Sequence, residues 1–125
     1  MSLTVLAVDD SKTMRDLLRA ALVPQGFEVC LAGDGEEGLE MLGEVTPHVI
    51  ITDINMPKLD GFGFIKGVRG RDDLRGTPIL VLTTESAPEL KQRARDAGAT
   101  GWIVKPFDET RLVAAIRRVS GRAVV

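Results

Sequence analysis

The feature that most restricts how this chain can fold is an alternation, repeated five times, between a short apolar run and a longer segment with apolar residues at helical spacing. Short apolar runs that are rich in β-branched residues and bounded by turn signals predict buried strands. Here they predict strands over residues 3–8, 27–32, 49–53, 79–82 and 101–104. The segment after each run predicts an amphipathic helix.

Strands that alternate with helices run parallel, because each helix carries the chain back along the sheet. Right-handed crossovers then cover both faces of the sheet with helices. The length of 125 residues is that of one domain. We therefore predict one α/β domain over residues 1–125, without an output domain, built on a doubly wound, flavodoxin-like parallel sheet with strand order 2-1-3-4-5.

Capping residues predict where several helices begin. Asp34 and Glu37 form a capping box in front of helix two, and Ser86 and Glu89 form another in front of helix four. Asp108 is the predicted cap of helix five.

Ser11 is the predicted cap of helix one. The spacing of apolar residues in that helix predicts a single buried stripe. Its members are Met14, Leu17, Leu18, Ala21 and Leu22.

Polar residues follow four of the five predicted strands at the point where each strand ends. They are Asp9 and Asp10, Asp53, Thr83 and Lys105. Because the carboxyl ends of parallel strands share one edge of the sheet, we expect these side chains to meet. Three neighbouring carboxylates repel one another, and a cation relieves that repulsion. An all-oxygen site with few dedicated ligands suits Mg²⁺.

The charges of this group favour phosphoryl chemistry. The three aspartates, Lys105 and one Mg²⁺ sum to zero, so that an arriving phosphoryl group would meet no net repulsion. An aspartate can act as a covalent nucleophile, and phosphoryl transfer needs mainly positioning and charge neutralisation. We expect Asp53 to be the reactive group. Lys105 would pair with one phosphoryl oxygen, and the Thr83 hydroxyl would donate to another.

Composition argues against several other classes of protein. The net charge of -2 gives no electrostatic reason to expect nucleic-acid binding. The apolar run near the N-terminus is cut off at Asp9, which predicts neither a signal peptide nor a membrane span. The single cysteine, Cys30, cannot form an internal disulfide, which fits a reducing compartment. We expect a cytoplasmic monomer that binds neither nucleic acid nor membrane.

The polar groups fall into five short motifs, which are Asp9-Asp10, Asp53 with Met56-Pro57, Asp60-Gly61, Thr83 and Lys105-Pro106. In this combination they resemble the receiver domain of two-component response regulators. The resemblance extends over about residues 3–120.

This resemblance implies a role for each acid. Asp53 would accept a phosphoryl group from a phosphohistidine on a partner histidine kinase. Asp10, Asp53 and the backbone carbonyl of Asn55 would bind Mg²⁺, and Asp9 would help through water.

It also implies the parts of a switch. Thr83 would be the switch hydroxyl, and Lys105 would be the phosphate-pairing lysine, in a cis peptide with Pro106. Trp102 stands three residues before the lysine, where the family usually has Tyr or Phe. It would be the switch aromatic, whose side chain swings inward when the threonine hydroxyl moves to the phosphate.

Residues 9–15 and the Thr-Thr-Glu-Ser loop at residues 83–86 are similar to stand-alone chemotaxis regulators of the CheY type. That similarity implies a chemotaxis histidine kinase as phosphodonor and the flagellar motor switch as target. The output would be binding through the surface formed by helix four, strand five and helix five. Such a protein is no enzyme, because it assists only its own phosphorylation and dephosphorylation.

Three alternatives stay open at this point. One is a stand-alone receiver in a phosphorelay outside chemotaxis. Another is a Mg²⁺-dependent phosphatase or phosphotransferase of the haloacid dehalogenase type, which carries Asp-x-Asp after strand one with the first Asp as nucleophile. The third is a non-phosphorylated interaction domain that has kept the fold.

Overall fold

The structure is a computed structural model, and it describes residues 2–121. Its strands are β1 (Thr4–Val8), β2 (Glu28–Ala32), β3 (Val49–Thr52), β4 (Ile79–Thr83) and β5 (Gly101–Val104). Its helices are α1 (Lys12–Leu22), α2 (Gly35–Met41), α3 (Gly61–Arg69), α4 (Pro88–Ala97) and α5 (Glu109–Gly121). Short 3₁₀ turns follow α1 and α3, at Val23–Gln25 and Asp72–Leu74. The ends of the predicted domain, Met1 and residues 122–125, lie outside the described residues.

The sheet has the predicted topology. All strand pairs are parallel, and the order is β2-β1-β3-β4-β5. Val8 at the end of β1 lies opposite Thr52 at the end of β3, and Thr83 at the end of β4 lies opposite Val104. The residues that follow these strands therefore emerge side by side at one edge of the sheet.

Two apolar clusters, one on each face of the sheet, form the core. Successive strand residues point to opposite faces, so β1 sends Leu6 and Val8 into one cluster and Val5 and Ala7 into the other. The first cluster includes residues from α3 and α4, and the second includes residues from α1 and α5. Burial on both faces explains why the strands are continuous apolar runs.

The predicted stripe of α1 is wrong at one position. Leu17 is 50% exposed, whereas Leu18, Ala21 and Leu22 are buried. An exposed leucine is common on protein surfaces, and the buried stripe needs only some of the apolar positions of this helix.

The predicted caps of helices one and five are confirmed, because Ser11 accepts from the Met14 N–H and Asp108 accepts from the Arg111 N–H. Asp60, which the sequence offered only as part of the Asp60-Gly61 motif, caps α3 by accepting from the Gly63 N–H.

The capping box of α2 forms only in part. Asp34 accepts from the Glu37 N–H, but the Glu37 carboxylate accepts from the Gly33 N–H rather than from Asp34. Its partner therefore lies one residue earlier than in a reciprocal box.

The predicted capping box of α4 is wrong. The helix is preceded by Ala87, which makes no side-chain capping bond, and it begins with Pro88. Proline suits the first helical position because its fixed φ matches the helix and no N–H has to be satisfied there. The start of α4 therefore lacks the side-chain capping hydrogen bond that is present at the start of each of the other four helices.

Two arginines connect α4 with α3, in addition to the apolar packing of α4 against the core. Ala94 is its one buried residue. Arg69 of α3 donates through Nε and Nη2 to the carbonyl of Gly98, the left-handed residue that ends α4, at 3.0 and 2.9 Å. The guanidinium of Arg93 stacks 3.9 Å from the ring centre of Phe62.

Among the helices described, none combines the length and the apolar character that crossing a membrane requires.

We expect Arg69→Met to lower the free energy of unfolding by about 1–3 kcal/mol, because it leaves the part-buried Gly98 carbonyl without its donor. Besides the Gly98 carbonyl, Arg69 Nη1 binds the Leu74 carbonyl at 2.8 Å. Urea denaturation followed by Trp102 fluorescence measures the change. The matched control is Arg75→Met, since Arg75 forms only an exposed ion pair with Asp72. An Arg69→Met protein as stable as this control would contradict the expectation.

Candidate functional site

Lys105 joins the ends of three strands. Its Nζ donates to Asp9 Oδ2 at 2.8 Å and to Asp53 Oδ2 at 2.9 Å. Asp9 follows β1, Asp53 follows β3 and Lys105 follows β5. Asp9 is 2% exposed, Asp53 is 8% exposed and the lysine side chain is 10% exposed, so the contact is largely shielded from water.

Backbone N–H groups bind the other oxygen of each carboxylate. Ser11 N–H donates to Asp9 Oδ1 at 2.9 Å, and Ile54 N–H donates to Asp53 Oδ1 at 2.6 Å. The Lys105–Pro106 peptide bond is cis, as the sequence resemblance implied. Both acids are therefore fixed in orientation before any ligand arrives.

The protonation state of Lys105 follows from its surroundings. Burial alone would lower the pKa of its ammonium group, but its hydrogen bonds to Asp9 and Asp53 and the negative charges of these acids outweigh that effect and raise the pKa of Lys105. The lysine is therefore a cation at neutral pH. It offsets one of the two buried negative charges.

Asp10 completes an acidic group at the sheet edge. One carboxylate oxygen from each of Asp9, Asp10 and Asp53 lies within 4.8 Å of the others. Asp10 is exposed, whereas the other two are buried. Three hard oxygen donors with one open side fit Mg²⁺, which keeps several waters and takes few protein carboxylates. These residues could hold a divalent cation.

Asn55 lies in the exposed part of the loop that follows Asp53. Within residues 2–121, no hydrogen bond to its carbonyl is found, so that this oxygen is available to a ligand. The structure does not otherwise connect Asn55 with the three acids.

Close packing behind Asp53 sets its position. Gly61 begins α3, and its N–H donates to the Ile54 carbonyl at 2.8 Å. A Cβ at Gly61 would lie 2.2 Å from the Asp53 carbonyl oxygen and 2.8 Å from the Ile54 Cα. The helix can approach the acidic strand end this closely only because position 61 has no side chain.

Thr83 and Trp102 are linked through the backbone of Glu85. The Thr83 hydroxyl, fully buried, accepts from the Glu85 N–H at 3.4 Å, which is a long hydrogen bond. The Trp102 indole Nε1 donates to the Glu85 carbonyl at 2.9 Å. Lys105 N–H donates to the Thr83 carbonyl at 2.8 Å, so the β4–β5 ladder keeps these strand ends together.

Of the predicted site residues, the structure brings together Asp9, Asp10, Asp53 and Lys105, and it places Thr83 on the neighbouring strand end. Trp102 is half-buried and touches the loop after β4 rather than the acids.

Sequence reasoning missed two groups. One is the backbone of Glu85, because backbone contacts leave no residue signature. The other is Arg15, whose Nη1 donates to the Asp9 carbonyl at 2.7 Å. Nothing in the sequence separates Arg15 from the exposed Arg19 one turn later, except its place one turn after the cap Ser11.

Comparison with known proteins agrees with this geometry. Residues 5–117 match the response regulator receiver domain family. The chain is 42% identical to a probable chemotaxis protein CheY of Rhizobium etli, over 94% of this chain and 92% of that protein.

Many solved structures are similar, and two illustrate the range of sequence identity. CheY4 of Vibrio cholerae superposes with a TM-score of 0.91 at 45% identity, over 95% of this chain and 99% of that one. The receiver domain of a Pseudomonas aeruginosa sensor histidine kinase superposes with a TM-score of 0.89 at 25% identity, over 97% of this chain and 99% of that one, and was crystallised with a magnesium ion in its active-site cleft.

The topology and the acidic edge define the chain as a flavodoxin-like α/β domain with its site at the sheet switch point. The family match then makes the assignment specific: the chain belongs to the response regulator receiver domain family. It is a CheY-like signalling domain rather than a conventional enzyme. The chain spans nearly all of the Rhizobium protein but about half the length of the mycobacterial response regulators that it also matches.

We expect Gly61→Ala to lower the free energy of unfolding by about 1–3 kcal/mol, because the added methyl group overpacks a site bounded by backbone. Gly76→Ala is the matched control, since a Cβ there meets nothing within 4 Å. Urea denaturation of both variants measures the difference. Equal stability of the two proteins would show that α3 shifts away from Asp53 at no cost.

Proposed function

We propose that this domain is a signalling switch that accepts a phosphoryl group on Asp53 from a phosphohistidine of a partner histidine kinase. The observation that carries the proposal is the Lys105 ammonium, held between the carboxylates of Asp9 and Asp53 at 2.8 and 2.9 Å. A cation fixed beside a reactive carboxylate stabilises the charge that accumulates on a phosphoryl group during transfer.

The step itself is a displacement at phosphorus. A carboxylate oxygen of Asp53 forms a bond to phosphorus, while the bond between phosphorus and the histidine nitrogen breaks. The product is an acyl phosphate on Asp53, and the imidazole leaves with the electron pair and takes up a proton. Lys105 pairs with a phosphoryl oxygen, and the Thr83 hydroxyl donates to another after it leaves Glu85.

Mg²⁺ is the cofactor that we assign to the acidic group. Asp10 and Asp53, with the Asn55 carbonyl, are its proposed ligands, and Asp9 acts through water. When bound, the ion neutralises charge on the phosphoryl oxygens. The chemistry of the three carboxylates supports this assignment.

The proposed switch runs from Thr83 to the α4–β5–α5 surface, meaning the exposed residues of those three elements. Thr83 and Trp102 share the Glu85 backbone, so movement of the hydroxyl toward a phosphate removes one of the two bonds that hold that loop. A cavity of about 60 Å³ lies beside Trp102, between α4 and β5. Because α4 buries few side chains, its reorganisation requires little free energy.

As partners we propose a chemotaxis histidine kinase and the flagellar motor switch, in a single-domain protein of the cytoplasm that works as a monomer. The similarity to the Rhizobium chemotaxis protein over nearly its whole length supports this. A receiver in another phosphorelay is the second candidate, favoured by the 39% identity to a mycobacterial response regulator. Binding of the phosphorylated domain to motor switch protein separates the two.

The haloacid dehalogenase alternative is disfavoured by the spacing of the acids after β1. That family carries Asp-x-Asp there, whereas Asp9 and Asp10 are adjacent in this chain.

We expect beryllofluoride with Mg²⁺ to change the fluorescence of Trp102, the only tryptophan, and Asp53→Asn to abolish the change. Asn cannot form the acyl phosphate or bind beryllofluoride as a carboxylate does. The matched control is Asp16→Asn on the exposed side of α1, which should respond like the wild type. Absence of any response in the wild type, together with no phosphate uptake from acetyl phosphate, would refute the switch.

Thr83→Ala should separate phosphorylation from its readout. We expect uptake of phosphate from acetyl phosphate to persist, because Asp53 and Lys105 are intact, while the Trp102 fluorescence change shrinks to less than half. Thr84→Ala, at the exposed neighbouring position, is the control. A full fluorescence response in Thr83→Ala would remove Thr83 from the coupling.

A further inference from the structure

Arg15 of α1 binds a backbone group inside the acidic site. Its Nη1 donates to the Asp9 carbonyl at 2.7 Å, in a part-buried position. Hydrogen bonds from a charged donor at this distance are among the strong ones. The carbonyl belongs to the peptide bond between Asp9 and Asp10, which are two of the three acids.

The Asp9 carbonyl needs this donor because the β1–β2 ladder ends here. Asp9 N–H donates to the Ala32 carbonyl at 3.0 Å and so continues the ladder past Val8. The next donor in a parallel ladder would be the Asp34 N–H. Asp34, however, is the cap of α2, where the chain has left the sheet. Arg15 Nη1 takes the place of the missing ladder donor.

The backbone at Gly33 lies close to the guanidinium of Arg15. A Cβ at Gly33 would lie 3.6 Å from Arg15 Nη1, so the arginine rests against the glycine. Arg15 therefore contacts the ends of both β1 and β2. No charged partner of Arg15 is found among residues 2–121, so its hydrogen bond to Asp9 is its principal restraint.

The three acids differ in how they are held. Asp9 and Asp53 each have both carboxylate oxygens bound. Asp10 is exposed, and among residues 2–121 no hydrogen bond to its carboxylate is found. Its backbone is held on one side by Arg15 at the Asp9 carbonyl and on the other by Ser11, whose N–H binds Asp9 Oδ1.

We propose that Arg15 is a positioning residue, which holds the Asp9–Asp10 peptide so that the Asp10 carboxylate faces the cation site. The inference rests on the proposed function, since Asp10 acts there as a ligand of Mg²⁺. Groups that orient a metal ligand commonly change metal affinity by about 10–100-fold when they are removed.

The charge of Arg15 acts in the opposite direction. A guanidinium near a cation site repels the cation, so that its removal on charge grounds alone would raise Mg²⁺ affinity. Loss of positioning would lower it. The sign of the change therefore distinguishes a positioning residue from a residue that only contributes charge.

The test is Mg²⁺ titration of the full chain, followed by Trp102 fluorescence and by calorimetry. We expect Arg15→Met to weaken Mg²⁺ binding about tenfold. Arg15→Lys, which keeps a charged donor, should regain most of the affinity. The matched control is Arg19→Met on the exposed side of the same helix, which should bind like the wild type or slightly more tightly.

A second readout needs no metal. In Mg²⁺-free protein, exchange of the Ser11 amide hydrogen should be faster in Arg15→Met than in Arg19→Met, at equal global stability by urea denaturation. If Arg15→Met does not fold, Arg15→Gln provides the same comparison.

Mg²⁺ affinity that is unchanged or increased in Arg15→Met, or reduced equally in Arg19→Met, would overturn the proposal. If the wild type itself binds no Mg²⁺, the proposed function fails and this inference fails with it. If the wild type binds Mg²⁺ and Arg15→Met binds it equally well, only the role of Arg15 is lost.

Discussion

The structure depends on one buried ammonium group between two buried carboxylates. Moving charges out of water is costly, and a charge left unpaired in the interior costs several kcal/mol. Lys105 compensates only one of the two acids that it contacts, so the group keeps a net negative charge, and Asp10 adds to it. Such a group of charges is compatible with a folded domain, but part of its negative charge stays uncompensated. That imbalance is the physical reason to propose a divalent cation and a phosphoryl group at this site.

The backbone is arranged to maintain this imbalance. Asp9 and Asp53 are adjacent because β1 and β3 are paired in parallel with Val8 opposite Thr52. The acids cannot separate without breaking a ladder that is buried on both faces. Backbone N–H groups and Lys105 bind each carboxylate. The two acids therefore stay close together despite their mutual repulsion, because their side chains are not free to move apart.

How far the sequence predicted the fold and the site depended on the type of interaction. Strand runs followed from the apolar pattern, which depends on burial alone, and the strand order was the one expected for a flavodoxin-like sheet with right-handed crossovers. The predicted cap of α4 was wrong. Ser86 and Glu89 match the sequence pattern of a capping box, and only the structure shows that the helix begins at Pro88. Arg15 was overlooked for a related reason: its partner is a carbonyl, and carbonyls carry no residue identity.

The acidic site and the α4–β5–α5 surface differ in how firmly they are held. This difference explains how the two can be coupled although they do not form one rigid body. The acids are held by several short hydrogen bonds in a buried sheet, whereas the loop after β4 is held by the long Thr83–Glu85 bond and the Trp102 indole. α4 has one buried residue, and its C-terminal end is bound by Arg69. In the proposed switch, occupancy of the acidic site displaces Thr83 and shifts the population of the loop and of α4, since the contacts to be exchanged there are few and weak.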